Sequence, residues 1–299
     1  MANQIIEDLK AKIRNGNPVT RLIIINIAVF LFLGILRILV FLSAETMAET
    51  ERLVHSVLAL PLNLQPFLNK PWTLITHMFT HIFFSHIFWN MITLYWFGTI
   101  LSEYTSTRKI IPLYLMGGLT GAIIAILMIS FVPMFEHPFA TGVGASAGVT
   151  AIIVAAATLV PNYKMNLLFL GPVKLLYIAL FSIFISVLNV ASYSNMGGNL
   201  AHLGGALFGY IFIVQYKKGI DLSSGINRFF DWIKGIFKKG PKAKMNVAYK
   251  RKVSDEEYNI NKKAEQQHID AILDKISKSG YESLSKSEKE ILFKASNKK

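Results

Sequence analysis

Cysteine is absent from the 299 residues of this chain, and charged side chains make up only 16% of them. The absence of cysteine excludes a disulfide framework, a zinc–thiolate site and a cysteine nucleophile. About a quarter of the residues in soluble domains are charged, whereas this chain is 53% hydrophobic and has a mean hydropathy of +0.43. The composition therefore indicates a membrane protein with several spans rather than a soluble globular domain.

Acidic residues are also scarce, with 18 Asp and Glu against 31 Lys and Arg, and the positive excess is uneven. Residues 1–216 hold 11 basic and 7 acidic residues, a difference of +4, whereas residues 217–299 hold 20 and 11, a difference of +9. Basic charge beside a membrane region usually lies in the cytoplasm and attracts anionic lipid. We therefore expect the lipid bilayer as a partner and no nucleic acid, although nucleic-acid binding by the basic tail is a weaker alternative. No cleavable signal peptide is expected, because residues 1–16 are polar and mixed in charge.

Apolar runs of about 20 residues predict an all-α membrane protein, a bundle of six transmembrane helices. The runs lie near residues 20–43, 74–100, 110–131, 146–160, 172–191 and 199–216. The fourth run is short, because a helix from Ser146 to Val160 extends roughly 22 Å against a hydrocarbon core of about 30 Å. We therefore expect this helix to begin below the outer surface, with residues 140–145 entering as a loop beside a water-filled cavity.

Basic residues in the short loops predict the orientation of these spans. The basic side carries the tail and the residues Lys10, Lys12, Arg14, Arg21, Arg108, Lys109, Lys164 and Lys174. The opposite side has only Arg52 and Lys70, both in the long, partly apolar first loop at 44–73. This pattern predicts cytoplasmic N- and C-termini, and the expected location is a cell inner membrane.

The chain divides into five predicted segments. They are an amphipathic cytoplasmic segment at 1–19, the six-span domain at 20–216, a basic interfacial helix at 217–239, a linker at 240–262 and a small helical cytoplasmic tail at 263–299. The interfacial helix is predicted from apolar residues at helical spacing with basic residues between them, namely Ile226, Phe229, Phe230, Ile233 and Phe237. The tail should form two short helices separated at Gly280, and Ser285 and Glu288 have capping-box spacing for the second.

The fourth predicted span begins with the sequence Gly144-Ala145-Ser146-Ala147-Gly148. Polar groups at membrane depth are costly, and they are functional candidates by default. Taken alone, the pattern favours a packing serine, because small residues are common where membrane helices meet. In soluble hydrolases the same pattern marks a strand-to-helix turn, but no alternating strand pattern precedes Ser146.

A histidine in the sixth predicted span changes this interpretation, because a serine hydroxyl needs a base to become a nucleophile. His202 follows Asn199 by three positions. It precedes Gly205 and Gly209, whose spacing of four allows two helices to approach closely. Packing of the fourth span against the sixth, glycine against glycine, would bring Ser146 to His202. No acidic residue lies in the sixth span, so we predict a dyad rather than a triad; the alternative is a histidine that hydrogen-bonds between helices.

Four polar side chains recur in the second predicted span at spacings of four, five and four: His77, His81, His86 and Asn90. These spacings place all four near one face of a helix. His86 and Asn90 lie deepest and suit an oxyanion hole, to which the backbone N–H groups of Ser146 and Ala147 would add donors. The alternative is a metal site, because His77 and His81 are four residues apart, as zinc ligands can be. No metal is expected, since the usual general-base glutamate and a third ligand are missing.

Together and in this order, these motifs resemble the rhomboid family of intramembrane serine proteases over most of residues 20–216. The resemblance rests on three motifs, His77-x3-His81-x4-His86-x3-Asn90, Gly144-Ala145-Ser146-Ala147-Gly148 and Asn199-x2-His202-x2-Gly205-x3-Gly209. It implies Ser146 as the nucleophile and His202 as its base. It implies an oxyanion hole formed by the Ser146 amide with His86 and Asn90, and no cofactor. It further implies a structural or water-retaining role for His81 and a position near the cavity mouth for His77.

The sequence departs from the family pattern at three places. Ala147 follows the nucleophile where glycine is common, and Thr150 stands where an aromatic ring often stacks on the catalytic histidine. The third departure is Trp72-Thr73, where the family's first loop often has Trp-Arg. None of these removes a reacting group, so the implied function is cleavage of transmembrane protein substrates near the outer leaflet, through an acyl-enzyme on Ser146. The alternatives are an inactive relative that binds and routes membrane proteins, and a transporter whose polar residues line a substrate path.

Overall fold

The structure, a computed structural model, describes residues 16–43, 52, 55–135, 140–168, 170–193, 195–237 and 255–296. The chain forms two compact units, and the boundary between them lies between Lys239 and Gly240. The longer helices of the first unit are α1 (Pro18–Ser43), α2 (Phe84–Tyr104), α3 (Ile110–Phe131), α4 (Ser146–Leu159), α5 (Leu175–Ala191), α6 (Met196–Lys217) and α7 (Ser224–Phe237). The second unit contains α8 (Asp255–Ser279) and α9 (Lys286–Ser296).

The described helices identify the chain as a membrane protein. Three of them are long and apolar enough to cross a bilayer, and they lie at Pro18–Leu42, Thr107–Phe131 and Met196–Lys217. Two further apolar helices, α4 and α5, are shorter. Helix α2 has 21 residues, but polar side chains at Ser85, His86, Asn90 and Glu103 interrupt its apolar character.

Helix α4 lies at the centre of the first unit, where all residues from Ala147 to Ala157 are buried. A helix that is apolar on every side is typical of a protein interior. Small residues allow its neighbours to approach closely. A methyl group added at Gly117 of α3 would overlap the Ala151 side chain, and one added at Gly209 of α6 would overlap the Ala151 carbonyl oxygen. The glycines of α3 and α6 therefore fix the position of α4 between them.

Two small antiparallel strand pairs complete the first unit. The first joins β1 (Leu60–Pro61) to β2 (Thr141–Gly142), so it ties the long first loop to the segment before Ser146. The second is a hairpin of β3 (Lys164–Leu167) and β4 (Gly171–Lys174) between α4 and α5. The sequence patterns did not predict either pair. The fifth span was expected from residue 172. Residues 172–174 belong to β4 of the hairpin, so the helix begins only at Leu175.

The second predicted span, 74–100, is not a single helix, and this expectation was wrong. A four-residue helix at Thr73–Thr76 and a 3₁₀ turn at His77–Phe79 end at an extended Thr80, and α2 begins only at Phe84. The backbone polar groups of the break are bonded elsewhere in the fold: the Arg37 guanidinium donates to the Ile82 carbonyl oxygen at 3.1 Å. His77 and His81 therefore do not share a helical face with His86 and Asn90.

Two predicted boundaries outside the spans can be compared with the structure. Helix α8 begins at Asp255, so residues 255–262 are helical and the predicted linker at 240–262 was too long. Most of the predicted amphipathic segment at 1–19 lies outside the described residues, and α1 begins at Pro18.

The capping box predicted in the tail is confirmed. The Ser285 hydroxyl accepts the Glu288 backbone N–H at 3.3 Å, and the Glu288 carboxylate accepts the Ser285 backbone N–H at 2.7 Å. This reciprocal pair satisfies two N–H groups at the start of α9. Ile272 of α8 and Leu284, two residues before α9, are both buried in this unit, so it has a small apolar core.

Candidate active site

The nucleophile and the base predicted from the sequence lie in contact. Ser146 is the first residue of α4, His202 is in the second turn of α6, and Ser146 Oγ lies 2.7 Å from His202 Nε2. The approach depends on Gly205, because a methyl group there would overlap the carbonyl oxygen of Ala147. Gly205 and Gly209 thus face alanines of α4. The expectation that glycine would pack against glycine was wrong.

A second serine contacts the other nitrogen of the imidazole. Ser186 Oγ of α5 lies 3.4 Å from His202 Nδ1, and the Ser186 side chain is only 5% exposed. If Nε2 accepts the Ser146 proton, Nδ1 carries the ring proton and donates it to Ser186 Oγ. The sequence motifs did not predict a role for this residue. The available signal was a polar side chain within an apolar helix, and Ser182 carries the same signal one turn earlier.

The start of α4 supplies unpaired backbone donors beside the nucleophile. The helix's hydrogen bonding begins with the Val149 N–H, which donates to the Ala145 carbonyl oxygen at 3.0 Å. No side chain caps the helix start. The N–H groups of Ser146 and Ala147 precede that first bond, and they lie at the positive end of the helix dipole. An uncapped helix start of this kind attracts anions, including an oxyanion formed next to Ser146 Oγ.

His86 packs directly on the loop that leads to the nucleophile. Gly144 has a φ of +114°, and a β-carbon there would lie 2.5 Å from Cε1 and 2.7 Å from Nε2 of His86. Glycine is therefore required at this position both by its backbone conformation and by the imidazole. Asn90 is buried one turn further along α2, and its side-chain amide donates to the His86 carbonyl oxygen at 2.8 Å. One amide N–H of Asn90 is thus used within α2.

His77 and His81 also hold this loop, and the His81 ring lies against the His86 ring with a centroid distance of 5.1 Å. The Gly144 N–H donates to the His77 carbonyl oxygen at 2.7 Å, and the Ala145 N–H donates to His81 Nε2 at 3.2 Å. The His77 ring is 5% exposed and bonds through Nδ1 to the Thr73 carbonyl oxygen. His77 therefore does not lie at a cavity mouth, because its ring is held in the interior. Within the part of the chain that the structure describes, no group of three His, Asp or Glu residues could hold a metal ion.

The remaining predicted site residues support the helices that carry the dyad. The Thr150 hydroxyl donates to the Ser146 carbonyl oxygen at 2.8 Å, which is a bond within α4. Asn199 is buried one turn before His202, and its amide donates to the Asn195 carbonyl oxygen at 2.9 Å. The hydroxyl that contacts the His202 imidazole from α5 is that of Ser186. The hydroxyl of Thr150 instead forms a hydrogen bond within its own helix.

Comparison with known proteins identifies the family of this chain. Residues 68–218 match the Rhomboid domain family, which covers just over half of the chain. The chain belongs to the rhomboid family. A segment of 158 residues is 34% identical to RHOMBOID-like protein 12, mitochondrial, of Arabidopsis thaliana. The alignment covers 49% of this rhomboid and 47% of the relative, so the match spans about half the length of the relative.

The Rhomboid domain match contains every residue placed in the site. It includes the loop-holding histidines, the serine and histidine in contact, and the serine at 186. Helix α1 precedes the match. The tail matches a separate family of unknown function, DUF6576, over residues 253–298. The site therefore belongs to the rhomboid domain, and the tail is a distinct addition to it.

Proposed function

We propose that this rhomboid is an intramembrane serine endopeptidase that cleaves membrane-anchored proteins near the outer leaflet. The observation that carries the proposal is the 2.7 Å contact between Ser146 Oγ and His202 Nε2. As Ser146 Oγ attacks the carbonyl carbon of the scissile peptide bond, His202 takes its proton and then gives it to the leaving amine. Water then hydrolyses the acyl-enzyme with His202 again acting as the base.

The oxyanion of the tetrahedral intermediate would form at the uncapped start of α4. The backbone N–H groups of Ser146 and Ala147 are the nearest donors by position, and the helix dipole favours negative charge there. His86 and Asn90 are the proposed side-chain donors, since the His86 ring packs on Gly144, two residues before the nucleophile. Donors held in place by the fold stabilise this charge without reorganisation during the reaction.

The proposed topology has six spans, with both termini in the cytoplasm of a cell and the domain in its inner membrane. It is supported by the three long apolar helices, the shorter α4 and α5, and the 21 residues of α2. At 14 residues, α4 extends roughly 21 Å, less than the hydrocarbon core of about 30 Å. Ser146 would then lie below the outer surface, where a transmembrane substrate can reach it.

The relative's name says only that it is RHOMBOID-like, so an inactive protein that binds membrane proteins is the alternative. A fluorophosphonate probe and a transmembrane peptide substrate separate the two functions. We expect the purified wild type to be labelled once per chain and to cleave the peptide, and Ser146→Ala to do neither. Ser182→Ala is the matched control, because Ser182 only donates to the Ala179 carbonyl oxygen in α5.

Two results would contradict the proposal. If the folded wild type is not labelled by the probe and does not cleave the peptide, the protein is an inactive relative that binds membrane proteins. Cleavage by Ser146→Ala above a few per cent of wild-type activity would show that another group is the nucleophile.

A further inference from the structure

A groove of about 530 Å³ lies between α4, α5 and α6, apart from the dyad. Its walls are mainly apolar side chains, among them Ala157, Leu176, Leu180, Ala206, Leu207 and Tyr210. The volume is within the range of roughly 300–1,000 Å³ that is typical of ligand sites. Leu180 and Leu207 are half exposed, so the groove opens sideways from the helices. In a membrane protein such an opening faces lipid.

Two lysines lie on the β3–β4 hairpin, each within three residues along the chain of a residue that lines this groove. Lys164 of β3 is the direct cross-strand partner of Lys174 of β4. Like charges that face each other across a strand pair destabilise it. In the described residues neither lysine has an ion pair with an acidic side chain. The arrangement therefore favours an anion from outside the chain.

The backbone connects this lysine pair directly to the groove. Lys174 is followed by α5, whose second residue, Leu176, lines the groove. The Leu176 N–H donates at 3.3 Å to the carbonyl oxygen of Pro161, another lining residue three positions before Lys164. Lys217 adds a third positive charge, because its ammonium donates to the carbonyl oxygen of the lining residue Thr158 at 2.7 Å. Three lysines are thus joined to lining residues of the groove, two by a few residues of backbone and one by a hydrogen bond.

We propose that the groove binds one anionic phospholipid, with an acyl chain between α5 and α6 and the phosphate at Lys164 and Lys174. The buried acyl chain would cover the apolar walls of the groove, and the phosphate would offset the repulsion between the two lysines. A transmembrane substrate helix would fit the apolar walls but would leave the lysine pair without a partner. The proposal needs the membrane location of the domain, and it does not depend on catalysis.

The test is lipid binding by the full-length protein in a neutral detergent, measured by native mass spectrometry. Phosphatidylglycerol and phosphatidylcholine with identical chains are titrated separately. Each lysine near an anionic headgroup contributes about fivefold in affinity, so Lys164→Gln with Lys174→Gln should weaken phosphatidylglycerol binding at least about tenfold. Phosphatidylcholine binding should change little in this double variant.

Matched substitutions separate the site from general effects. Leu207→Trp fills the groove and should weaken binding of both lipids, whereas Leu127→Trp alters a similarly exposed leucine of α3 outside the groove. Lys263→Gln with Lys278→Gln removes the same charge from the tail. Both control variants should bind like the wild type.

Four results would overturn the proposal. The first is a wild type that does not prefer phosphatidylglycerol, and the second is an equal loss in the tail double variant. The third is a Leu207→Trp protein that binds both lipids normally but binds a transmembrane peptide substrate less well, because the groove would then be a substrate site. The fourth is glycerol phosphate binding as tightly as phosphatidylglycerol, which would indicate a site for free phosphate.

Discussion

At the scale of single residues, the proposed base is held between two serine hydroxyls. Ser146 Oγ contacts His202 Nε2 and Ser186 Oγ contacts Nδ1. In a triad, a carboxylate fixes the ring's tautomer and also stabilises the imidazolium that forms. A hydroxyl can do the first by accepting the Nδ1 proton, but it carries no charge to do the second. Ser186 would therefore act as a positioning residue rather than as a third catalytic group.

Removing the Ser186 hydroxyl should slow the chemistry without abolishing it. We expect Ser186→Ala to lower kcat about tenfold to a hundredfold, less than the roughly 10⁴-fold loss when a triad carboxylate is replaced. KM should change less, because substrate contacts remain. The measurement is steady-state cleavage of a transmembrane peptide across pH 5–9.

Two further variants separate positioning from packing. Ser186→Thr keeps the hydroxyl and should recover most of the activity, whereas Ser182→Ala should behave like the wild type. Equal losses in Ser186→Ala and Ser182→Ala, or no recovery with threonine, would show that α5 packing matters rather than the hydrogen bond.

The contact between Ser146 and His202 could be predicted because each of the two residues lies in a motif with an identifiable spacing. Ser146 begins a short apolar run and His202 precedes two glycines four residues apart. Ser186 could not be predicted, because the register of α5 decides whether Ser182 or Ser186 faces His202. That register comes from packing against α4 and α6, which spacing within α5 does not encode.

At the scale of elements, the break before α2 is a tertiary effect. The run from residue 74 to residue 100 contains no proline, and its first glycine is Gly98, so local propensity gives no reason for a break. The break exists because residues 77–82 bond to the loop before Ser146 and to Arg37. Long-range hydrogen bonds of this kind override an apolar pattern, which is why the pattern predicted one span.

The contact between α4 and α6 sets the position of the dyad. Gly205→Ala places a methyl group against the backbone of Ala147, so α6 must move and His202 must move with it. Overpacking of this kind costs about 1–3 kcal/mol, and a displacement of about 1 Å can lower kcat a hundredfold. We expect a lower Tm and at least a tenfold loss of kcat, measured on the purified variant.

The control for this prediction is Gly34→Ala in α1. No atom lies within 4 Å of a β-carbon at Gly34, and alanine favours a helix over glycine by about 1 kcal/mol. This variant should keep its activity, and its Tm should be equal to that of the wild type or slightly higher. If Gly205→Ala behaves the same way, α4 and α6 do not depend on glycine for their approach.

The cap of α9 should respond to pH. The Ser285 backbone N–H and the Lys275 ammonium lower the pKa of Glu288 from 4.5 to about 2. A lowered folded-state pKa stabilises the folded tail at pH values above 4.5, and this contribution is lost as the pH falls towards 2. Carboxyl-carbon NMR titration of the full chain should therefore place Glu288 near 2, with Glu288→Gln to assign its signal. Lys275→Gln should raise the pKa only partly, and a wild-type value near 4.5 would disprove the cap's contribution.

At the scale of the whole molecule, the sequence predicted the order of the helices better than their ends. The apolar runs give α1 and α3 to within a few residues, because both helices are continuously apolar. The β3–β4 hairpin was not predicted, because its four-residue strands are too short for a period-two pattern to be distinguished from a loop. The start of α8 was missed for another reason: its apolar stripe of Ile269, Ile272, Leu273 and Ile276 begins well after residue 255, and residues 255–262 are mostly polar.

The division into two compact units predicts that catalysis does not need the tail. All residues placed in the site lie within Met1–Lys239, and the tail's Gly240–Lys299 forms the other unit. The tail has one histidine, His268, and it is in a polar, charged helix. A protein truncated after Gly240 should therefore insert, keep α7, and cleave a minimal transmembrane peptide in detergent with kcat within about twofold of the full chain. The full-length Ser146→Ala variant gives the background rate for this comparison. If the truncated protein elutes as a folded monodisperse species but is inactive, the tail contributes to the active enzyme, and the matched DUF6576 segment is part of its catalytic machinery.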